Sequence, residues 1–155
     1  MSPFKTILAA AVLTLAGTAA SANDAVKSFY AFLSAPTSQA AMEAAKANMS
    51  DDWVSIGDYS GKEKTRDAFL GQIAGFGKLI PDMNWEIAEM IVAGDRVIVR
   101  GRASGTPKGP MFGVDGKGKS FEIMSIDIHT IAGGKVVKTY HVEDWAGALQ
   151  QLSGK

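Results

Sequence analysis

The sequence predicts an α+β fold in which helices come first and a long antiparallel sheet follows. Apolar residues recur at helical spacing as far as Pro81, and beyond it they alternate with polar residues in four strand-like runs. Glycine-containing turns join these runs in pairs, as in β-hairpins. Helices that precede an antiparallel sheet usually gather on one of its faces. We therefore expect one core, enclosed between the helices and the sheet.

The N-terminal segment has the pattern of a secretory signal peptide. Lys5 precedes an apolar run from Ile7 to Leu15, and a small-residue Ala-Ser-Ala sequence follows. The apolar run is short for a bilayer span, which makes a membrane anchor the weaker alternative. We predict cleavage before Asn23, so that residues 1–22 are removed on export to the periplasm or the medium. Residues 23–155 then form a single domain.

Composition narrows the class of protein further. The chain has no cysteine, so an exported form depends on its own hydrophobic core and not on disulfides. Sixteen acidic and sixteen basic residues give a formal net charge of zero, and no basic stripe is present. Proteins that bind nucleic acid need such a stripe to contact phosphates. We therefore expect no nucleic-acid partner.

Three helices are predicted before Pro81. The first begins at Asn23 or Asp24, and the second follows Pro36. Ser60 with Glu63 forms a capping-box signature that predicts the start of the third. The residues expected to face inward are Val26, Phe29, Tyr30 and Leu33 in the first, Ala41, Met42, Ala45 and Met49 in the second, and Phe69, Leu70, Ile73 and Phe76 in the third.

The strands follow in two hairpins, after one short β-prone stretch at "DDWVSIGDYSG". "NWEIAEMIVAGDRVIVRGRASG" predicts two strands joined at Ala93-Gly94-Asp95. "SFEIMSIDIHTI" and "KVVKTYHVED" predict two more, joined at Ala132-Gly133-Gly134. The connection from Thr106 to Lys119 is long enough to cover or open a cavity.

The second hairpin carries both histidines and several acids. A three-residue loop at Ala132–Gly134 pairs Asp127 with Thr139 and Ser125 with His141. One face then holds polar side chains: Asp127, His129, Thr139, His141 and Glu143. The other holds Met124, Ile126, Ile128, Tyr140 and Val142. A two-residue loop would shift the register by one and group Asp127 and His129 with Tyr140 and Asp144.

Alternation alone does not decide which of these faces is inside. A sheet with one apolar face normally packs that face on the helices, which would leave the acids and histidines in water. The opposite arrangement requires a cavity on the polar face and a cover for the apolar one.

Several segments together resemble the SnoaL-like cyclases, also called ester cyclases, of the nuclear transport factor 2-like superfamily. The resemblance rests on "PDMNWEI", "AGDRVIVR", "SGTPKGPMFGV", "IDIHTIAGGKVV" and "DWAGALQQL", in family order from Trp53 to Leu152. This chain departs from the family in Thr139-Tyr140, where relatives often have His-Trp, and in Gly101, where they often have an aromatic residue. Gly101 implies a wider pocket or a bent strand.

The resemblance implies a cone, a curved antiparallel sheet around a pocket closed by the N-terminal helices. The polar face would line this pocket and bind a small hydrophobic molecule. The apolar outer face would then be covered in a homodimer that packs sheet against sheet. Characterised members are polyketide cyclases that close a ring by an intramolecular aldol reaction, and the resemblance implies no cofactor.

Four residues are candidates for acid–base chemistry. The resemblance assigns the catalytic acid–base to Asp144, although an aspartate there can instead cap the last helix. It likens Asp127 to a protonated oxyanion donor of a related steroid isomerase. Asp127 and His129 stand about 6.6 Å apart on one strand face and can address adjacent atoms of a ligand. His129 and His141 are suited to proton transfer near neutral pH.

The remaining candidates are substrate-binding residues. Those expected to line or roof the pocket are Trp53, Phe69, Phe76, Trp85, Met111 and Phe112, for each of which a plain core position is the alternative. Thr139 and Glu143 complete the set. We expect no metal site, because the predicted register separates His129 and His141 by about 13 Å.

Three functions remain open from the sequence. The first is a cofactor-independent cyclase or isomerase acting on a hydrophobic carbonyl compound. The second is a periplasmic module that binds a lipophilic molecule in the same cone without converting it. The third is a structural or interaction domain whose pocket is filled by its own side chains.

Overall fold

The computed structural model describes the backbone of residues 8–154 and the side chains of residues 21–154. Most of the predicted signal peptide, residues 1–22, lies outside the described side chains and stays a prediction. No helix in this part of the chain is long and apolar enough to cross a membrane. The elements are α1 (Leu8–Ser34), α2 (Gln39–Ala47), β1 (Met49–Ile56), β2 (Lys64–Thr65), α3 (Arg66–Leu79), β3 (Asn84–Ala93), β4 (Arg96–Gly105), β5 (Phe121–Ala132), β6 (Lys135–Glu143) and α4 (Trp145–Ser153).

The six strands form one curved sheet in the order β2-β1-β6-β5-β4-β3. All neighbours are antiparallel except β1 and β6, which run parallel. Register shifts in β3, between Ile87 and Glu89, and in β6 mark bulges, which increase the twist of a sheet. The predicted α+β class is confirmed, and the parallel β1–β6 pair is an addition to the expected antiparallel meander.

The hydrophobic core lies between α1, α3 and the inner face of the sheet. The predicted inward positions of α1 are all buried, at Val26, Phe29, Tyr30 and Leu33. Phe29 stacks on Phe69 of α3 with 5.1 Å between ring centroids, and Trp53 of β1 packs beside both. Burying side chains of this size is the main stabilising contribution that a domain without disulfides has.

Three helix boundaries differ from prediction. Helix α1 begins at Leu8 and not at Asn23 or Asp24. Ser38 caps α2 by accepting a hydrogen bond from the Ala41 N–H, and Met49 belongs to β1 instead of the helix. The cap of α3 is Thr65, whose hydroxyl accepts from the Ala68 N–H, and not Ser60. The short strand β2 explains the later start of α3, because its pairing with β1 holds the chain extended as far as Thr65.

The β5–β6 hairpin has a different register from the one predicted. Gly133 and Gly134, both with positive φ, form a two-residue turn that pairs Ala132 with Lys135. A bulge in β6 then shifts the pairing by one, so that Asp127 lies opposite His141 and not Thr139. The two-residue turn alone would have exchanged the faces, and the extra residue of the bulge restores them. The predicted division into a polar face and an apolar face is therefore correct although the predicted pairs are wrong.

Candidate active site

An apolar cavity of about 270 Å³ opens between α1, α3, β6, α4 and the β4–β5 connection. Three aromatic side chains form its rim. Phe76 stacks on Trp145 with 5.9 Å between nearly parallel rings, and Phe112 meets both edge-on. The lining residues are Leu33, Pro36, Gln72, Ile73, Phe76, Met83, Trp85, Phe112, His141, Glu143 and Trp145.

His141 and Glu143 are the two ionisable residues among the described residues that line this cavity. They stand two apart on β6, so their side chains share its inner face. His141 Nδ1 lies 3.6 Å from Glu143 Oε2, and the Trp145 indole N–H donates to the same oxygen at 2.6 Å. The neighbouring Glu143 carboxylate raises the pKa of His141 above its usual value. A histidine beside a carboxylate provides a proton donor, when the imidazole is protonated, and a proton acceptor, the carboxylate, on one apolar wall.

Asp127 lies behind this pair, with 4% of its surface exposed. The Tyr30 hydroxyl donates to Asp127 Oδ2 at 2.5 Å and the Ser125 hydroxyl at 3.3 Å. Burial raises the pKa of Asp127 to about 6, while the bond from Tyr30 and the charge of His141 lower it. Burial and the same carboxylate raise the pKa of Tyr30. Asp127 does not line the cavity, but its charge is among the causes that raise the pKa of His141, which does.

His129 lies in the core and not at the cavity. Its ring is fully buried and packs against the rings of Phe29 and Tyr30 at 5.2 and 5.9 Å. Nδ1 lies 3.0 Å from the Thr139 hydroxyl, which also accepts from the Trp53 indole at 3.1 Å, and Nε2 has no partner among the described residues. Burial lowers the pKa of His129 to about 4, which keeps the ring neutral near pH 7.

The predicted lining residues divide into two groups. Phe76, Trp85, Phe112 and Glu143 line the cavity as expected. The other four lie in the core, where the alternative interpretation placed the aromatic ones: Trp53, Phe69, Met111 and Thr139. The pairing of β1 with β6 accounts for Trp53 and Thr139, because it places them against each other and under α1.

Asp144 is exposed and caps α4. Its carboxylate accepts a hydrogen bond from the Gly147 N–H at 2.8 Å, and it is not among the cavity residues. The structure thus gives Asp144 the capping role that was the alternative to catalysis. The strand ends at Glu143, and the chain turns away from the inner face at the next residue.

Sequence reasoning missed three features of the site. Tyr30 was expected only as a core residue, although a buried tyrosine hydroxyl needs a hydrogen-bond partner and thereby points to a buried acid. Trp145 was not considered, although an aromatic residue next to Glu143 was a visible signal. Gly101 does not widen the pocket, because a Cβ there would lie 2.5 Å from the Ser125 hydroxyl. Glycine at this position makes room for the side chain that bonds Asp127.

No group of three or more His, Cys, Asp or Glu in the described part of the chain is arranged to hold a metal ion. The chemistry that the geometry provides is acid–base chemistry by a histidine–glutamate pair, on an apolar wall with a buried carboxylate behind it.

The fold is shared with several solved structures of low sequence identity. TsrD from Streptomyces laurentii matches with a TM-score of 0.74 at 20% identity, over 88% of this chain and 97% of its own. IdmH from Streptomyces antibioticus matches with a TM-score of 0.73 at 23% identity, over 84% and 97%. A protein with a ketosteroid isomerase-like fold from Catenulispora acidiphila matches with a TM-score of 0.62 at 19% identity, over 82% and 92%. These likenesses confirm the predicted nuclear transport factor 2-like fold.

Comparison with curated proteins gives no significant match. The profile of the SnoaL-like polyketide cyclases, in contrast, matches residues 24–152, which is nearly the whole predicted mature chain. This chain therefore belongs to the SnoaL-like polyketide cyclase family.

Proposed function

We propose that this protein binds a small hydrophobic carbonyl compound in the 270 Å³ cavity and transfers a proton next to its carbonyl group. The observation that carries the proposal is the His141–Glu143 pair on a wall otherwise dominated by apolar and aromatic side chains. Small-molecule sites combine such walls with a few polar groups that orient the ligand, and usually measure about 300–1,000 Å³. The cavity suits a compact ligand.

The two side chains divide the work of an enolisation. Glu143 accepts the proton from the carbon next to the carbonyl, and the electron pair of that C–H bond moves onto the carbonyl oxygen. His141, as imidazolium, donates a hydrogen bond to this oxygen where the negative charge develops. The Trp145 indole fixes the carboxylate. In a cyclase, the enolate carbon then attacks a second carbonyl in the same molecule, and the oxygen of that carbonyl takes the proton held by Glu143. In an isomerase, another carbon of the enolate takes this proton instead.

Asp127 is a positioning residue in this scheme. Its carboxylate lies opposite His141 in the β5–β6 ladder, and its charge helps to raise the pKa of that histidine. Tyr30 and Ser125 hold the carboxylate in place. The buried acid therefore favours the imidazolium without touching the ligand.

Deuterium exchange tests the reaction. The mature protein is incubated in D₂O with a panel of aromatic ketones and β-keto esters, and NMR follows loss of the proton next to the carbonyl. We expect at least one compound to exchange faster with wild-type protein, and both His141→Gln and Glu143→Gln to lose the effect. Glu122→Gln, an exposed glutamate of the outer face, is the matched control and keeps it. Exchange that survives in Glu143→Gln contradicts the assigned base.

A non-catalytic binding module is the second candidate. The predicted signal peptide favours it, since polyketide cyclases act beside their cytoplasmic synthases. The same panel separates the two functions. Saturable binding without exchange in any compound supports the module, and exchange supports the enzyme.

We further propose that the protein is a homodimer that packs sheet against sheet. The outer face of the sheet exposes apolar side chains on three strands, far more than isolated surface hydrophobics. They are Ile91 of β3, Met124, Ile126 and Ile128 of β5, and Tyr140 and Val142 of β6. Ion pairs of Arg100 with Glu89 and of Arg102 with Glu86 lie beside this outer apolar face and suit a polar rim.

We also propose export to the periplasm or the medium with cleavage before Asn23. Of the buried positions described in α1, Ala22 precedes this site and those from Ala25 to Leu33 follow it, so cleavage leaves all but Ala22 in the mature domain. N-terminal sequencing of protein recovered from the periplasmic fraction and the medium tests the proposal. A chain that begins at Asn23 supports it, and an uncleaved chain confined to the cytoplasm contradicts it.

A further inference from the structure

His141 borders a second cleft besides the apolar cavity. This cleft measures about 370 Å³ and lies where β1, β2 and the start of α3 meet. Its lining residues are Ser55, Gly57, Lys62, Glu63, Lys64, Thr65, Ala68 and His141. His141 Nδ1 faces Glu143 in the apolar cavity, whereas Nε2 lies against Gly57, where an added Cβ would be only 3.1 Å away. One imidazole ring therefore separates the two spaces and offers a nitrogen to each.

Strand register brings polar groups together in the second cleft. Lys64 of β2 lies opposite Ser55 of β1, and Ser55 lies beside Thr139 of β6, two residues from His141. Directly paired residues project to the same face of a sheet, as do residues two apart on a strand. Ser55, Lys64 and His141 therefore share the inner face on three adjacent strands.

The serine hydroxyl and the two lysine ammonium groups of this cleft have no partner among the described residues. Ser55 is only 5% exposed, yet its hydroxyl has no hydrogen-bond partner in the described part of the chain. Lys62 and Lys64 form no ion pair with any described carboxylate, and the charge of Lys64 is close enough to lower the pKa of His141. Glu63 is the single acid among the described lining residues, so the two lysines leave the lining with a net positive charge.

The start of α3 also favours an anion in this cleft. Thr65 caps this 14-residue helix, and Thr65 and Ala68 both line the cleft. The N-terminus of a helix carries a partial positive charge that favours a nearby anion. A helix N-terminus alone makes no site, but here it coincides with Ser55, which is 5% exposed, and with two lysines that form no ion pair with the described residues.

We propose that the second cleft is an oxyanion site that binds a carboxylate or phosphate group through the Ser55 hydroxyl, the Lys64 ammonium and His141 Nε2. This inference goes beyond the proposed function and does not depend on turnover in the apolar cavity. A bound anion would contact the same imidazole ring that faces the apolar cavity. An anion in the cleft and a ligand in the cavity would therefore both contact His141.

An NMR titration of the mature protein at pH 7 tests the site. Sodium acetate and sodium phosphate are added separately, with sodium chloride at matched ionic strength as the reference for screening. We expect saturable shifts of the Ser55 and Lys64 amides and of the His141 ring with at least one of the two anions. A response to phosphate alone indicates a phosphate site, and a response to acetate alone indicates a carboxylate site. Shifts that match those with chloride overturn the proposal.

Two variants locate the binding. Lys64→Gln and Ser55→Ala are each expected to weaken the anion about tenfold, which corresponds to the loss of one hydrogen bond to a charged group. Ser55→Ala removes a hydroxyl that forms no hydrogen bond with the described residues, so folding is retained. Lys27→Gln makes the same charge change on the exposed side of α1 and leaves affinity unchanged. Equal weakening in Lys27→Gln, or none in Lys64→Gln, overturns the proposal.

Discussion

At the scale of single residues, the bond from Tyr30 holds the Asp127 carboxylate in its ionised form. Burial raises the pKa of Asp127 to about 6, and the hydrogen bond from Tyr30 is the strongest influence that lowers it. Tyr30→Phe should therefore raise the pKa of Asp127 further, as read from its carboxyl carbon by NMR. Ser125→Ala is the graded control and should raise it less, because Ser125 contributes least. A pKa that is unchanged in Tyr30→Phe would show that the bond does not exist in solution.

Asp127 and His129 also give stability two opposing dependences on pH. The carboxyl of Asp127 ionises near 3.8 when unfolded and near 6 when folded, so stability falls as pH rises through this window. The imidazole of His129 takes a proton near 6.5 when unfolded and near 4 when folded, so stability falls as pH drops through that window. Asp127→Asn removes the first dependence and leaves the second.

The free energy of unfolding of Asp127→Asn should therefore decrease more steeply than that of the wild type between pH 6.5 and 4. Denaturant titrations at half-unit intervals of pH measure both curves. Parallel curves would mean that Asp127 has an ordinary carboxyl pKa in the folded protein, which would contradict the effect of its burial.

At the scale of elements, two glycines of α3 should respond to alanine in opposite directions. Gly75 is exposed and an added Cβ would meet nothing within 4 Å, so Gly75→Ala should stabilise by roughly 0.5–1 kcal/mol through helix propensity. At Gly77 the Cβ would lie 2.5 Å from Pro36 Cγ, so Gly77→Ala should destabilise by roughly 1–3 kcal/mol. Denaturant unfolding of the two variants measures both effects. Equal effects of one sign would contradict the packing of α3 on the Pro36 turn.

Asp144 tests whether this position caps a helix or takes part in the chemistry. Asp144→Ala should cost about 1 kcal/mol of stability, whereas Asp144→Asn should cost little because asparagine caps equally well. Denaturant unfolding measures the first effect, and ligand binding per folded molecule should be unchanged in both variants. If the fully folded Asp144→Asn protein lost binding or turnover, Asp144 would have a role in binding or catalysis beyond capping the helix.

The β5–β6 hairpin shows how far sequence patterns predict such an element. Alternation identified both strands and the two faces of each, because side chains repeat with period two along a strand. The predicted grouping of faces across the pair is correct because the bulge offsets the two-residue turn. The pairs were wrong because Gly133–Gly134 forms the two-residue turn that was the alternative, and because β6 contains a bulge that no local pattern encodes. Likewise β2, at only two residues, is set by pairing with β1, and this moved the start of α3 from Ser60 to Thr65.

At the scale of the whole molecule, the sequence predicted the class of fold and part of the site. Phe76, Trp85, Phe112, His141 and Glu143 line the cavity as expected. His129 and Asp127 were placed on the correct face but at the wrong depth, because alternation gives direction and says nothing about the α1 side chains packed above them. Only the assembled fold shows that Phe29 and Tyr30 pack on His129, that Tyr30 bonds Asp127, and that neither His129 nor Asp127 lines the cavity.

The outer apolar face gives a prediction for the assembly. Sedimentation equilibrium of the mature protein at tens of micromolar should give the mass of two chains. Ile126→Lys, which puts a charge in the middle of that face, should give the mass of one. Tyr59→Lys makes a similar change at an exposed loop position and should leave the dimer intact. A wild-type monomer under these conditions would contradict the proposed sheet-to-sheet packing.

His141 borders the apolar cavity whereas His129 is buried and neutral, and an NMR pH titration of both rings distinguishes the two environments. We expect His141 to titrate above 6.5 and His129 to remain neutral down to about pH 4. A hydrophobic carbonyl compound that binds the cavity should move the pKa of His141 and leave His129 unprotonated. If both histidines titrated near 6.5 and no compound affected them, this face of the sheet would be in contact with water. That result would contradict both the burial of His129 and the ligand cavity beside His141.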